Sequence, residues 1–258
     1  MSFKHFGKYM ETSKEIRVSN GILPKVPFIF DDFAYGAGAF NSHVPQNWVT
    51  TETGAATPFA PGATGATVAI GVTGGTTNNA QEFAGKGVLW TPSTMGGVFL
   101  EVRAKFVGAT EPLDGDFRIA LHDAVTETNG LAYVVSAASA LTTTAPTDAV
   151  GFLYSSIPTS GALYAASGNY VGIVNSIADV DAVAATTKVK DSDYHVYRIE
   201  VDASGNAVHY IDGVHVGTVA SAVTASVALT PYISAIAKAS HALTATLDYV
   251  YVGALARP

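Results

Sequence analysis

The stretch Tyr194–Thr218, YHVYRIEVDASGNAVHYIDGVHVGT, constrains the fold more than any other part of the chain. Its first run alternates with period two, the pattern of a strand that buries one face and wets the other. His195, Tyr197, Ile199 and Val201 share one side, while Val196, Arg198, Glu200 and Asp202 share the other. Three charges on the second side assign the Tyr197/Ile199/Val201 side to a core. The turn-forming residues Ala203–Asn206 lead into a second run, Ala207–Asp212. Asp212-Gly213 then signals a tight turn, because glycine tolerates the positive φ that primed hairpin turns need. Val214 and Val216 continue as a third strand. The sequence predicts an antiparallel meander here.

Other alternating runs surround it. Val98–Val107 sets Val98, Leu100, Val102, Ala104 and Phe106 against Phe99, Glu101, Arg103 and Lys105. Further strands are expected over 26–33, 67–72, 88–90, 117–123, 131–136, 149–154, 225–238 and 243–252, with a hairpin formed by 162–166 and 170–177. Residues 35–87 otherwise read as loop-rich, with Trp48 as a core or hairpin anchor. Ala137–Pro146, small and uncharged, reads as a loop, and no helix is expected beyond the first residues. Strands at this spacing, with both chain ends near one sheet, fit an all-β, two-sheet antiparallel β-sandwich of the jelly-roll kind. Its apolar faces, at about 25 cal/mol per Å² buried, need no staple at this length.

Residues 1–26 differ in character. They carry five cations (Lys4, Lys8, Lys14, Arg17, Lys25) against Glu11 and Glu15, a net of +3, which leaves −10 for the other 232 residues. Phe3, Phe6, Tyr9 and Met10 recur about every third residue. Pro24 and Pro27 close the segment. We read an extended N-terminal arm over 1–26 and a sandwich domain over 27–258. The arm either packs loosely or docks on a partner, with Phe3, Lys4, Phe6, Lys8, Tyr9 and Arg17 as docking residues.

The ends of the chain and the meander carry a resemblance. Arg198-Ile-Glu-Val-Asp202, a turn, then Tyr210-Ile-Asp-Gly-Val214 is similar to the late hairpin of the concanavalin/laminin-G type jelly roll. Leu247-Asp-Tyr-Val-Tyr-Val252 resembles the closing strand of that group, and Phe30-Asp-Asp-Phe33 its opening. The resemblance implies the fold. Because that fold hosts lectins, glycosidases, adhesion modules and viral structural proteins, function has to come from sites.

The group's hydrolases resemble one another in a Glu-x-Asp-x-Glu strand, whose alternate carboxylates flank one glycosidic bond. The nearest match, Glu200-Val-Asp202-Ala-Ser204, lacks the third carboxylate and reads as a solvent-facing charged edge. Asp114, Asp116 and Asp123, with His122, offer too few oxygens for a hard cation and read as a turn. His209 and His215 could face each other across the Asp212-Gly213 turn, but two imidazoles without a third ligand make a poor zinc site. Tyr154, Tyr164 and Tyr170 could stack on sugars, or pack in the core. No cofactor is expected, and no enzymatic activity.

The absence of cysteine excludes disulfides and thiolate metal sites. A net charge of −7 disfavours nucleic acid, no apolar run is long enough to span a bilayer, and the first residues lack a signal-peptide core. In style the chain resembles structural proteins of tailed bacteriophages. That resemblance implies a capsid decoration protein, made in the host cytoplasm and carried in the virion. Its partners would be the major capsid protein or other virion subunits, with the chain itself a homo-oligomer. The alternative is a carbohydrate-binding, lectin-like module of a fibre or receptor-binding protein, with a glycan as partner. A divergent glycosidase comes third.

Overall fold

The structure, a computed structural model, describes residues 28–31, 33, 48–54, 56–61, 69–72, 79–87, 89–108, 115–123, 134–136, 140–142, 148–155, 162–168, 193–237 and 242–255. Residues 1–26, and with them the six docking residues, lie outside this set, as do Asp114 and Tyr170.

In chain order the strands are β1 (Phe28–Asp31), β2 (Trp48–Thr53), β3 (Thr57–Pro61), β4 (Ala69–Val72) and β5 (Ala80–Gly85). A single helical turn, α1 (Pro92–Met95), precedes β6 (Val98–Gly108) and β7 (Gly115–His122). Then follow β8 (Val134–Ser136), β9 (Ala140–Thr142), β10 (Ala149–Ser155), β11 (Ala162–Gly168) and the meander β12 (His195–Val201), β13 (Ala207–Ile211) and β14 (Val214–Val219). The strands β15 (Thr230–Ala237) and β16 (Leu243–Ala254) complete the fold.

Two antiparallel sheets face each other, as the alternation requires. The larger has eight strands, ordered β14-β13-β12-β6-β16-β4-β3 with β1 also on β16; the smaller has six, ordered β11-β10-β7-β15-β5-β2. Between them Tyr197, Ile199 and Val201 meet Phe117, Ile119, Leu121 and Phe152 in one buried cluster. Phe106 and Phe117 stack across the gap with ring centroids 3.8 Å apart. Each such buried side chain contributes about 1.5–3 kcal/mol. Trp48 is the anchor expected of it: its ring packs on Phe83, and its Nε1–H donates to Asp31 Oδ2 at 2.8 Å.

The closing strand changes parity midway. Leu243, Ala245 and Leu247 face the core, and so do Val250 and Val252, because a bulge between Leu247 and Tyr249 leaves Asp248 unpaired on β16. Below the bulge Thr244–Leu247 pairs with β4; above it Val250–Gly253 pairs with β1. The first and last described strands thus close one sheet together.

Several expectations need correction. Of the strand expected over 88–90, Trp90 forms an isolated bridge with Leu229, and residue 88 lies outside the described residues. The turn α1 was not foreseen; Pro92 starts it with the φ a helix wants, and Gly96, at φ 68°, ends it. The stretch Ala137–Pro146, read as a loop, contains β9, which pairs with β8 apart from both main sheets. Within the loop-rich 35–87, β2, β3 and β5 went unread.

Candidate functional site

Each sheet has a second face, turned away from the shared core, and the two differ. On the six-stranded sheet this face carries a polar row. Ser234 on β15 is the cross-strand neighbour of both Glu82 on β5 and Arg118 on β7. The Arg118 guanidinium lies 4.9 Å from the Tyr232 ring centroid, and the His122 ring lies 4.3 Å from it on the other flank. Glu82, Arg118, His122, Tyr232 and Ser234 are all 2% exposed or less. All five are shut off from solvent.

The outer face of the eight-stranded sheet is open. Register builds it: Arg198 on β12 sits directly opposite Glu101 on β6 and Tyr210 on β13. The guanidinium donates from Nη1 to Glu101 Oε2 at 2.8 Å and from Nε to Glu200 Oε1 at 2.7 Å. One arginine thereby clamps carboxylates from two strands, and its plane lies over the Phe99 ring at 4.5 Å. Burial works against the charge of Arg198, but the bonds to Glu101 and Glu200 outweigh it and hold the guanidinium above its ordinary pKa. The other oxygen of Glu101 accepts from the Tyr249 hydroxyl at 2.9 Å. Burial, then this bond to a carboxylate, pushes the Tyr249 phenol up.

Asp212 frames the end of this face. It adopts φ 51° and Gly213 φ 76°, the paired positive values of a primed hairpin turn. The Asp212 carboxylate accepts the Val196 N–H at 2.9 Å through Oδ1 and meets His195 Nδ1 at 2.8 Å through Oδ2. Glu101, Val196, Arg198, Glu200, Tyr210, Asp212 and Gly213 together line a groove of about 660 Å³. Beyond it, Phe28, Phe30, Phe99, Tyr249 and Tyr251 form a chain of ring contacts with centroids 4.7–5.9 Å apart.

The residues singled out from sequence are distributed as follows. Glu200 belongs to the groove, whereas Asp202 turns into the hairpin, accepting the Ser204 and Asn206 N–H groups at 2.8 and 3.0 Å. Burial opposes these bonds, and together they outweigh it and hold Asp202 below its ordinary carboxylate pKa. His209 and His215 do not face each other. A register shift at His209/Tyr210 sets His215 opposite Tyr210, while His209 is fully buried against Phe152. Asp123 is spaced from the core on a bend, where its N–H bonds the Asp148 carbonyl at 3.0 Å. The side chains of Asp116, Tyr154 and Tyr164 lie outside the described set. Among the described residues, no group of three metal-ligating side chains comes together. Glu101, Tyr210, Asp212 and Tyr249 were missed as site residues. Only the register joins them, and Glu101 is 97 residues from Arg198 in sequence.

No family model matches the sequence, and no curated protein does. Solved structures do match in fold. The metal-free carbohydrate recognition domain of Emp46p superimposes with a TM-score of 0.58 at 10% identity, over 86% of this chain and 93% of that one. A legume lectin-like domain from Entamoeba histolytica gives 0.51 at 12% identity, over 82% and 92%. A prokaryotic β-1,3-1,4-glucanase (lichenase) from a mouse hindgut metagenome gives 0.51 at 11%, over 88% and 99%. Nothing in these comparisons links the chain to a virion protein. The fold is the concanavalin-like, lectin-type jelly roll, and it is shared by lectins and by hydrolases.

Proposed function

We propose that this chain is a carbohydrate-binding module that holds a glycan in the open groove of the eight-stranded sheet without cleaving it. The observation that carries the reading is the Arg198 clamp. A sugar hydroxyl both donates and accepts, so neighbouring hydroxyls fit a fixed carboxylate beside a fixed guanidinium. Arg198 and Glu200 supply that pair, already held in place and only partly exposed. Tyr210 on the next strand adds an apolar ring and a hydroxyl. The lectin domains among the structural neighbours support the same class of ligand.

Cleavage fits the groove poorly. Hydrolysis of a glycoside takes two carboxyl groups on opposite flanks of one bond, one of them carrying a proton. Glu101 and Glu200 instead grip the same guanidinium from neighbouring strands. Among the described strands, none sets three carboxylates at alternate positions.

Glycan-array screening of the intact protein beside Arg198→Ala is the test. Binding of one or more glycans by the former, lost in the latter, is expected; a blank array for the intact protein contradicts the reading. Turnover of a β-glucan that disappears in Glu200→Gln would restore the hydrolase alternative.

A further inference from the structure

We infer that the groove selects by charge and takes glycans bearing a free, protonated amine, such as glucosamine oligomers; this rests on the carbohydrate reading above. The lining sets three carboxylates, Glu101, Glu200 and Asp212, against the one guanidinium of Arg198, a formal charge of −2. The roles of the three acids differ. Glu101 spends one oxygen on Arg198 and the other on Tyr249. Asp212 spends its oxygens on His195 and the Val196 N–H. Glu200 bonds Arg198 through Oε1 alone, which leaves Oε2 on a side chain that is 29% exposed.

An ammonium placed at Glu200 Oε2 makes a charge-assisted hydrogen bond, the stronger kind. A sugar hydroxyl next to that amine would then face the guanidinium that Glu200 already holds. A uronic, sialic or sulfated residue would meet the same carboxylates as like charges and be rejected.

The cations on the same face do not cancel this field. Arg103 and Lys105 lie two and four residues along β6 from Glu101, about 7 and 14 Å by strand rise. Arg103 is already paired with Asp248, and both cations sit over the Tyr194 ring, at 4.5 and 4.9 Å. Salt screens exposed charges beyond about 8 Å under physiological conditions. His195 and His215 are the imidazoles beside the groove, on Asp212 and on the Tyr210 ring. The preference is read at a pH low enough to keep the sugar amine protonated, since only the ammonium carries the charge the lining selects.

Titration calorimetry at physiological salt with tetrasaccharides of glucosamine, N-acetylglucosamine and galacturonic acid tests the inference. The amine form should bind at least about tenfold tighter than its N-acetyl form, as one charge-assisted bond allows, and the uronate should not bind. In Glu200→Gln the ratio between the amine and N-acetyl forms should fall to about one, whatever the variant does to neutral binding, with a cooperative thermal melt confirming that it is folded. Equal affinities, binding of the uronate, or an amine preference that survives Glu200→Gln would each overturn charge selection; the last would mean attraction to the acidic body at large. Array binding confined to acidic or neutral glycans would overturn the charge inference and leave the carbohydrate reading standing. A blank array would overturn both.

Discussion

The two outward faces of the sandwich are built from the same strand geometry and put to opposite uses. On the six-stranded sheet, Glu82, Arg118, His122, Tyr232 and Ser234 are sealed, and their polar atoms have to be satisfied inside the protein. On the eight-stranded sheet, Glu101, Arg198 and Glu200 keep between a fifth and a third of their side-chain surface in water. A buried polar row specifies how strands pack. A half-exposed one, held rigid by its own ion pairs, is available to a ligand. The proposed glycan would therefore bind on the eight-stranded sheet, while the six-stranded one carries stability.

The largest effect that would break this comparison lies on the sealed face. Tyr232→Ala should destabilise the protein by about 3–5 kcal/mol, the cost of removing a fully buried aromatic ring. Gly151→Ala should be comparably severe, because an added Cβ would fall 2.1 Å from the Ile119 carbonyl oxygen. Denaturant unfolding measures both, and a loss under about 1 kcal/mol for either would mean that the face is not packed as described.

Next come the turns that carry the open face. Gly205 has φ +87°, and a Cβ there would meet the Val223 carbonyl oxygen at 2.2 Å; Gly213 has φ +76° and open space around it. Gly213→Val should cost about 1–3 kcal/mol from backbone strain alone. Gly205→Val should cost more, since strain and collision add. The reverse order in thermal melts would contradict the hairpin geometry.

On the open face itself, Arg198→Ala should lower stability by no more than about 1 kcal/mol, as for other partly exposed ion pairs, while abolishing glycan binding. A collapse in stability would place Arg198 with the sealed row rather than with the groove.

The smallest effect is a pH dependence. Asp202 has a folded-state pKa below its unfolded one, so its contribution is present above the unfolded value and is lost as pH falls through the folded value. Carbonyl NMR should find Asp202 titrating below an ordinary aspartate, and Asn206→Ala should move it part of the way back up, since it removes the side-chain amide's bond to Oδ2 and keeps the backbone N–H bond to Oδ1. An unshifted midpoint would remove the turn from this account.

The same contrast governs what the sequence makes legible. The eight-stranded sheet has one wet face, so β6 and β12 alternate, and their core sides could be named in advance. On the smaller sheet β5 and β15 are buried at every position. AQEFAG and TPYISAIA therefore carry no period, and β5 was lost in a loop-rich reading. The bulge at Asp248 left its trace in the apolar parity of LTATLDYVYV, which only the paired register made interpretable. Of the groove, the wet side of Val196, Arg198 and Glu200 was visible. Its partner Glu101 was visible only as a charge on another strand, because cross-strand neighbours are fixed by register and not by spacing.

The central claim is that a glycan sits on the Arg198–Glu200–Tyr210 groove and not on the opposite sheet. Backbone amide NMR during titration with a glycan that the array identifies tests it most directly. The account predicts shift changes concentrated in β12, β13 and the facing part of β6, around Glu101, Arg198, Glu200, Tyr210 and Gly213. Changes concentrated instead in β5, β7 and β15, around Glu82, Arg118 and Tyr232, would contradict it.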